Sequence, residues 1–248
     1  MTPRRRWAVR LVGVAAALPI ITAVVLLVEV ELASRQRNLP DEPFALVGLV
    51  NASAPGAPRR VVWLGDSTAA GVGASGVDGS LPRQVAAGLG RPVELTVLAV
   101  SGDRVSDVAR AQVPRLAALP ARPDVIFISV GANDVTHLSG PVEFGRTYRA
   151  VLEALPQGAQ VVMLGVPDMG STTRLVQPLR AIAGARGSAL DDVVRGLARD
   201  LHATYVDIAG HTGPSFRRDP DRYFAADHYH PNDEGYRLWT EAVLAALH

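Results

Sequence analysis

The chain contains no cysteine and no lysine. Without cysteine there is no disulfide, no thiolate nucleophile and no thiolate metal site. Without lysine there is no Schiff base, no Walker-type phosphate lysine and no Ser-Lys dyad. All 25 basic residues are therefore arginine. Four of them, Arg4, Arg5, Arg6 and Arg10, precede the first apolar run. Residues 11 to 248 carry 21 arginines against 24 acidic residues, a net −3. No basic stripe remains on the body, so nucleic acid is not an expected partner. Hydrophobic residues make up 48% and charged residues 20% of the 248 positions. That composition fits a globular domain with a sizeable core plus an appendage, not a disordered chain.

Long uncharged runs are also rare. One stands out, Leu11 to Val28, flanked by the arginine cluster and by Glu29 and Glu31. At about 1.5 Å per residue it is just long enough to cross a hydrocarbon core. The basic flank predicts a single-pass anchor with the N-terminus inside and the body outside. Cleavage as a signal peptide after Ala33 is the alternative, although Glu31 sits where a small residue is wanted. The expected organisation is an anchor or signal segment over 1–33, a linker over 34–58 and the main domain over 59–248. Pro40, Pro43, Pro55 and Pro58 punctuate the linker. Its apolar stretch Phe44-Ala-Leu-Val-Gly-Leu-Val is left to pack on the body or on the membrane.

From Arg60 onward, short apolar runs alternate with helical patterns. Val61–Gly65, Val93–Val100, Val125–Val130, Val161–Val166 and Thr204–Ile208 read as strands. Helical spacing joins Val105, Val108, Ala109, Val113 and Leu116. It also joins Leu190, Val193, Val194, Leu197 and Leu201, and runs again from Asp233 to Leu247. The alternation predicts an α/β domain whose mostly parallel sheet is covered on both faces. Function in such sheets gathers beyond the carboxyl ends of the strands.

Small polar groups follow four of those ends: Gly65-Asp66-Ser67, Ser101-Gly102-Asp103, Gly131-Ala132-Asn133-Asp134 and Pro167-Asp168-Met169-Gly170. Beyond the fifth strand comes Asp227-His228-Tyr229-His230-Pro231-Asn232. A serine hydroxyl needs a base to become a nucleophile, and a histidine held by a carboxylate can serve. Ser67, His230 and Asp227 are the candidates. A developing oxyanion needs donors; the candidates are the amides of Gly102 and Ser67 and the side chain of Asn133. Asn232 suits a helix N-cap. Asp66 and Asp134 are read as braces of their loops. Residues 167–174 could line a substrate pocket or form a plain loop.

Gly71-Val-Gly-Ala-Ser-Gly76 spells G-x-G-x-x-G, but it begins six residues past the strand, Pro82 interrupts the segment after it, and Glu94 stands at the start of the next strand. A dinucleotide loop needs the opposite on each count. Asp227, His228 and His230 lack the further ligands of a metal site, so neither a metal nor a cofactor is expected. Trp63 and Trp239 are read as core, and His228 as a surface or pocket-lining residue.

The four blocks, in order, resemble those of the SGNH or GDSL-type hydrolases over roughly residues 60–248. Gly65-Asp66-Ser67 is similar to the family's first block, Ser101-Gly102-Asp103 to the second, Gly131-Ala-Asn-Asp134 to the third and Asp227-x-x-His230 to the last. One departure is Val97-Leu-Ala-Val100, where the family often has an asparagine. The resemblance implies a three-layer α/β/α sandwich with a flavodoxin-like, mostly parallel five-stranded sheet. It also implies a serine esterase acting on small-molecule, lipid or acylated-glycan esters, with Ser67, Asp227 and His230 as triad and Gly102 and Asn133 as oxyanion hole. Acyl transfer or thioester cleavage on the same triad is the alternative, and a non-catalytic cell-envelope binding module is the alternative of another class.

Overall fold

In the computed structural model, residues 44–247 are described, together with residues 24–26, 28, 29, 31, 32, 35 and 39. Six strands form one sheet: β1 (Gly48–Val50), β2 (Arg59–Gly65), β3 (Val93–Val97), β4 (Val125–Ser129), β5 (Gln160–Leu164) and β6 (Thr204–Val206). Their spatial order is β1-β3-β2-β4-β5-β6. β2 to β6 are mutually parallel, and β1 runs antiparallel to β3 at the edge. The five expected strands are present in a doubly wound order. The sixth comes from the apolar stretch 44–50, which packs on the body: Leu46 and Val50 are buried.

The strand sequences explain the layers. Successive side chains point to opposite faces, and both faces are apolar. Val62, Leu64, Ile126, Ile128 and Met163 lie on one face. That face is covered by α2 (Val105–Asp107 continuing through Val108–Gln112 to Val113–Ala117), α4 (Pro141–Glu153) and α5 (Leu179–Asp200). Val61, Trp63, Val125, Phe127, Val162 and Leu164 lie on the other. There α1 (Leu81–Gly88), α6 (Ile208–Arg218) and α8 (Asp233–Ala246) supply the cover. Two short helices, α3 (Ala132–Thr136) and α7 (Pro220–Tyr223), sit in the rim loops. Trp63 stacks on Phe127 with ring centroids 4.5 Å apart, which fixes the β2–β4 register in the centre of the sheet.

Three helix starts follow from local chemistry. Pro82 falls in the first turn of α1, where a missing N–H costs nothing. Asp207 caps α6 by accepting from Gly210 N at 2.8 Å, and Asn232 caps α8 by accepting from Gly235 N at 3.0 Å. α2 departs from regularity. Val108–Gln112 is a π turn, which inserts one residue into the helical register.

Among the described residues no helix is long and apolar enough to cross a membrane. Residues 11–23 and 27 of the run expected to form the anchor lie outside the described residues. Glu29 is described and buried, and its carboxylate accepts from Leu179 N at 2.9 Å.

Candidate active site

Ser67 stands two residues past the end of β2. Gly65 has φ +145, and a Cβ there would lie 1.9 Å from the Ser129 carbonyl oxygen. The missing side chain lets β2 press against β4 to its last residue. Asp66 N then donates to Ser129 O at 2.9 Å, and the chain turns, with Val72 N donating to Ser67 O at 2.9 Å.

Asp66 points into the protein. One carboxylate oxygen accepts from Thr68 N at 3.0 Å and from Thr68 Oγ1 at 2.8 Å. The Thr68 hydroxyl spends its hydrogen there, so across the 2.9 Å contact with Ser129 Oγ it accepts. Burial pushes the Asp66 carboxyl up to about 6, against the Thr68 bonds and the His230 charge, which pull it down. This is a carboxyl raised in the folded state, so its contribution to stability is full below about pH 4 and is lost as pH climbs through about 6. A rise from 3.8 to about 6 corresponds to about 3 kcal/mol. Asparagine keeps the oxygen that Thr68 uses and removes the buried charge. Asp66→Asn is therefore expected to gain up to about 3 kcal/mol near pH 7 and only about 0.5 kcal/mol near pH 4. Urea unfolding at the two pH values measures this, and an equal difference at both would refute it.

His230 and Asp227 come from the loop between α7 and α8. Its ends are pinned where Phe224 bridges Pro231, with Ala225 N donating to His230 O at 2.8 Å. Asp227 is 3% exposed. One of its oxygens accepts from the backbone amides of Tyr229 and His230, each at 3.1 Å. The other lies 2.6 Å from His230 Nδ1. Burial pushes the Asp227 carboxyl up, but the ring bond and charge of His230 and the two amides outweigh it and hold it below the usual range. A carboxylate only accepts, so His230 Nδ1 carries hydrogen. In the neutral ring Nε2 is then an acceptor, 2.9 Å from Ser67 Oγ. Gly73 permits the closure of the loop after Ser67 onto this segment, since a Cβ there would lie 2.2 Å from Pro231 O.

The other two candidates meet at the neighbouring rim. Asn133, in the first turn of α3, donates through Nδ2 to Asp103 O at 3.0 Å. Asp103 directly follows Gly102, which has φ +85. One Asn133 bond thus ties the loop after β4 to the loop after β3, and leaves the second Nδ2 hydrogen for a ligand. Asp134 braces the same corner by accepting from Val105 N at 3.0 Å and Ser139 Oγ at 2.9 Å.

A narrow pocket of about 40 Å³ opens beside Ser67 and His230, walled by Ala132, Pro167, Met169, Phe216, Phe224 and Trp239. Pro167, Asp168, Met169, Ser171 and Thr172 therefore line it, and Trp239 belongs to both core and pocket wall. Asp168, at its mouth, pairs with Arg217. His228 is exposed, and its contribution is its carbonyl, which accepts from Thr172 Oγ1 at 2.7 Å and Arg174 N at 3.1 Å. Two contributors escape sequence reasoning. Phe216 carries no motif. Gln112, fully buried, bonds both Gly65 and Asp103.

With this geometry in place, the model of the GDSL-like Lipase/Acylhydrolase family matches residues 63–238. The chain belongs to this family. It is similar to the GDSL-like esterase Rv1075c of Mycobacterium tuberculosis, with 32% identity over 193 residues, 76% of this chain and 61% of that protein. It thus spans about three-fifths of the length of that curated relative. Among solved structures it resembles a lipolytic protein of the G-D-S-L family from Veillonella parvula, with 17% identity and a TM-score of 0.63 over 75% of this chain and 97% of that one. It also resembles phospholipase A1 from Streptomyces albidoflavus, with 21% identity and a TM-score of 0.58 over 77% and 100%. At these identities the two structures speak for the fold, and the sheet described above is that of the GDSL hydrolases.

Proposed function

We propose that this family member is a serine esterase that hydrolyses carboxylic esters through Ser67, His230 and Asp227. The observation that carries the proposal is the unbroken hydrogen-bonded line from the Asp227 carboxylate through His230 to Ser67 Oγ, at 2.6 and 2.9 Å. Ser67 Oγ attacks the ester carbonyl while His230 Nε2 takes its proton. Asp227 holds the tautomer and offsets the imidazolium charge. The Gly102 and Ser67 amides and the second Asn133 hydrogen receive the oxyanion, each such donor contributing on the order of 10²–10³ in rate. His230 returns the proton to the departing alcohol. It then activates a water that attacks the acyl-serine and frees the acid.

Membership of an acylhydrolase family supports the ester as substrate, and the small apolar pocket supports a short acyl group. We also propose that the domain faces the outside on an N-terminal anchor, a reading supported by the arginine cluster and the uncharged run Leu11–Val28.

The full chain in detergent is expected to hydrolyse p-nitrophenyl acetate and butyrate and to lose activity steeply with long acyl chains. A fluorophosphonate should label Ser67, read by peptide mass spectrometry. A folded chain that takes no label would overturn the proposal.

A further inference from the structure

Gln112 is fully buried, in the π turn of α2, and no step above uses it. Its amide is nonetheless completely engaged at the site. Oε1 accepts from Gly65 N at 2.8 Å. Nε2 donates to Gly65 O at 2.7 Å and to Asp103 Oδ2 at 2.8 Å. Gly65 closes the strand that leads to Ser67. Asp103 follows Gly102 and accepts the Asn133 side chain at 3.0 Å. A single amide plane therefore joins the end of the nucleophile's strand to the loop that carries Gly102 and that anchors the Asn133 side chain through Asp103 O.

The chemistry leaves the plane one orientation. Gly65 N–H needs an acceptor opposite it, while the Gly65 carbonyl and the Asp103 carboxylate need donors. A carboxylate at position 112 would supply only the first, and an apolar side chain none. The π turn is what delivers the residue. One extra residue in a helix rotates everything after it by about 100°, and here the inserted register turns Gln112 onto the end of the sheet.

We propose that Gln112 is a positioning residue that sets the separation between Ser67 and the oxyanion donors Gly102 and Asn133. The proposal rests on the esterase reading of Ser67. Those donors act only on charge that develops in the transition state, so their displacement lowers kcat and leaves KM nearly unchanged. A misplacement on the order of 1 Å can cost about 10²-fold.

The test uses the full chain, p-nitrophenyl butyrate as substrate, and fluorophosphonate titration of Ser67 to count competent sites. Gln112→Glu keeps the bond to Gly65 N and sets a carboxylate against Asp103. It is expected to lower kcat per labelled site by roughly 10–100-fold, with KM within about twofold. Adding Asp103→Asn to Gln112→Glu puts a donor opposite the new carboxylate, and should raise kcat at least about threefold above Gln112→Glu, short of the parent chain because the Gly65 carbonyl still faces a carboxylate. Should Gln112→Glu fail to fold, Asp103→Ala decides. It cuts only the bridge from Gln112 to the oxyanion loop, and is expected to lower kcat by about 5–30-fold, again with KM little changed.

A loss seen in KM alone, an unchanged kcat in the decisive variant, or a double variant as impaired as Gln112→Glu would overturn the proposal. A parent chain that neither labels at Ser67 nor turns over ester would instead overturn the esterase reading, and the role of Gln112 with it.

Discussion

A His230→Ala chain is expected to lose about 10⁵–10⁶ in kcat, while His228→Ala stays within about threefold of the parent. The two histidines are two residues apart, yet only one is placed to act. His230 Nε2 is 2.9 Å from Ser67 Oγ, and its half-buried ring lies against Asp227. The His228 side chain is exposed, and its bonds to Thr172 and Arg174 run through its carbonyl, which alanine retains. Its φ of +55 costs alanine about 1 kcal/mol of stability and little activity. Asp227→Asn falls between, at about 10⁴, for a reason visible in the geometry. The Tyr229 and His230 amides require an oxygen at the position they bond, so the asparagine nitrogen must face His230 Nδ1. The ring then takes the other tautomer and presents N–H, not a lone pair, to Ser67. Initial rates on p-nitrophenyl butyrate, with circular dichroism to verify folding, measure all three. Substantial turnover by His230→Ala would mean another group is the base.

The largest stability effect is expected at Gly65. A Cβ there would sit 1.9 Å from the Ser129 carbonyl oxygen and 2.7 Å from its carbon, and φ is +145. The obstacle is backbone of the neighbouring strand, which cannot swing aside as a side chain can. Gly65→Ala must part the ends of β2 and β4, breaking the Asp66 N bond to Ser129 O. It must also undo the Gln112 pairing to Gly65. Together these amount to roughly 4 kcal/mol or more, a large part of the stability of an ordinary domain. Gly140→Ala serves as the control, since nothing lies within 4 Å of its Cβ and its φ is −74; a change within about 1 kcal/mol is expected. Urea unfolding of both chains checks the contrast. A Gly65→Ala protein with the parent's midpoint would show that the strand ends are less tightly joined than described.

The central strands were legible because burial on both faces writes them as unbroken apolar runs, such as Val61-Val-Trp-Leu and Val125-Ile-Phe-Ile. The polar residues directly after each run were legible for the same reason, since parallel strands carry their ends to one rim. Ser67, Asp227 and His230 form one hydrogen-bonded line there. Elements defined by partners rather than by their own pattern were not legible. β1 is three residues long and sits among prolines, and only pairing with β3 makes it a strand. α1 was obscured because Pro82 reads as an interruption until its place in the first turn is known. Gln112 looks like any polar residue on an amphipathic helix. The π turn that redirects it leaves no mark in the spacing of Val105, Val108, Ala109, Val113 and Leu116. Trp239 packs in the core as its helical spacing suggests, and its second role in the pocket wall depends on where α6 and α8 meet.

The edge strand β1 decides how far this protein can be trimmed for crystallisation or assay. A chain begun at Arg59 would leave β3 with an unpaired, largely apolar margin open to another molecule, an invitation to self-association. It would also strip Phe44 and Leu46 from behind Gly71, four residues after Ser67, where both pack closely. Soluble, active material is therefore to be sought from cuts placed ahead of Phe44.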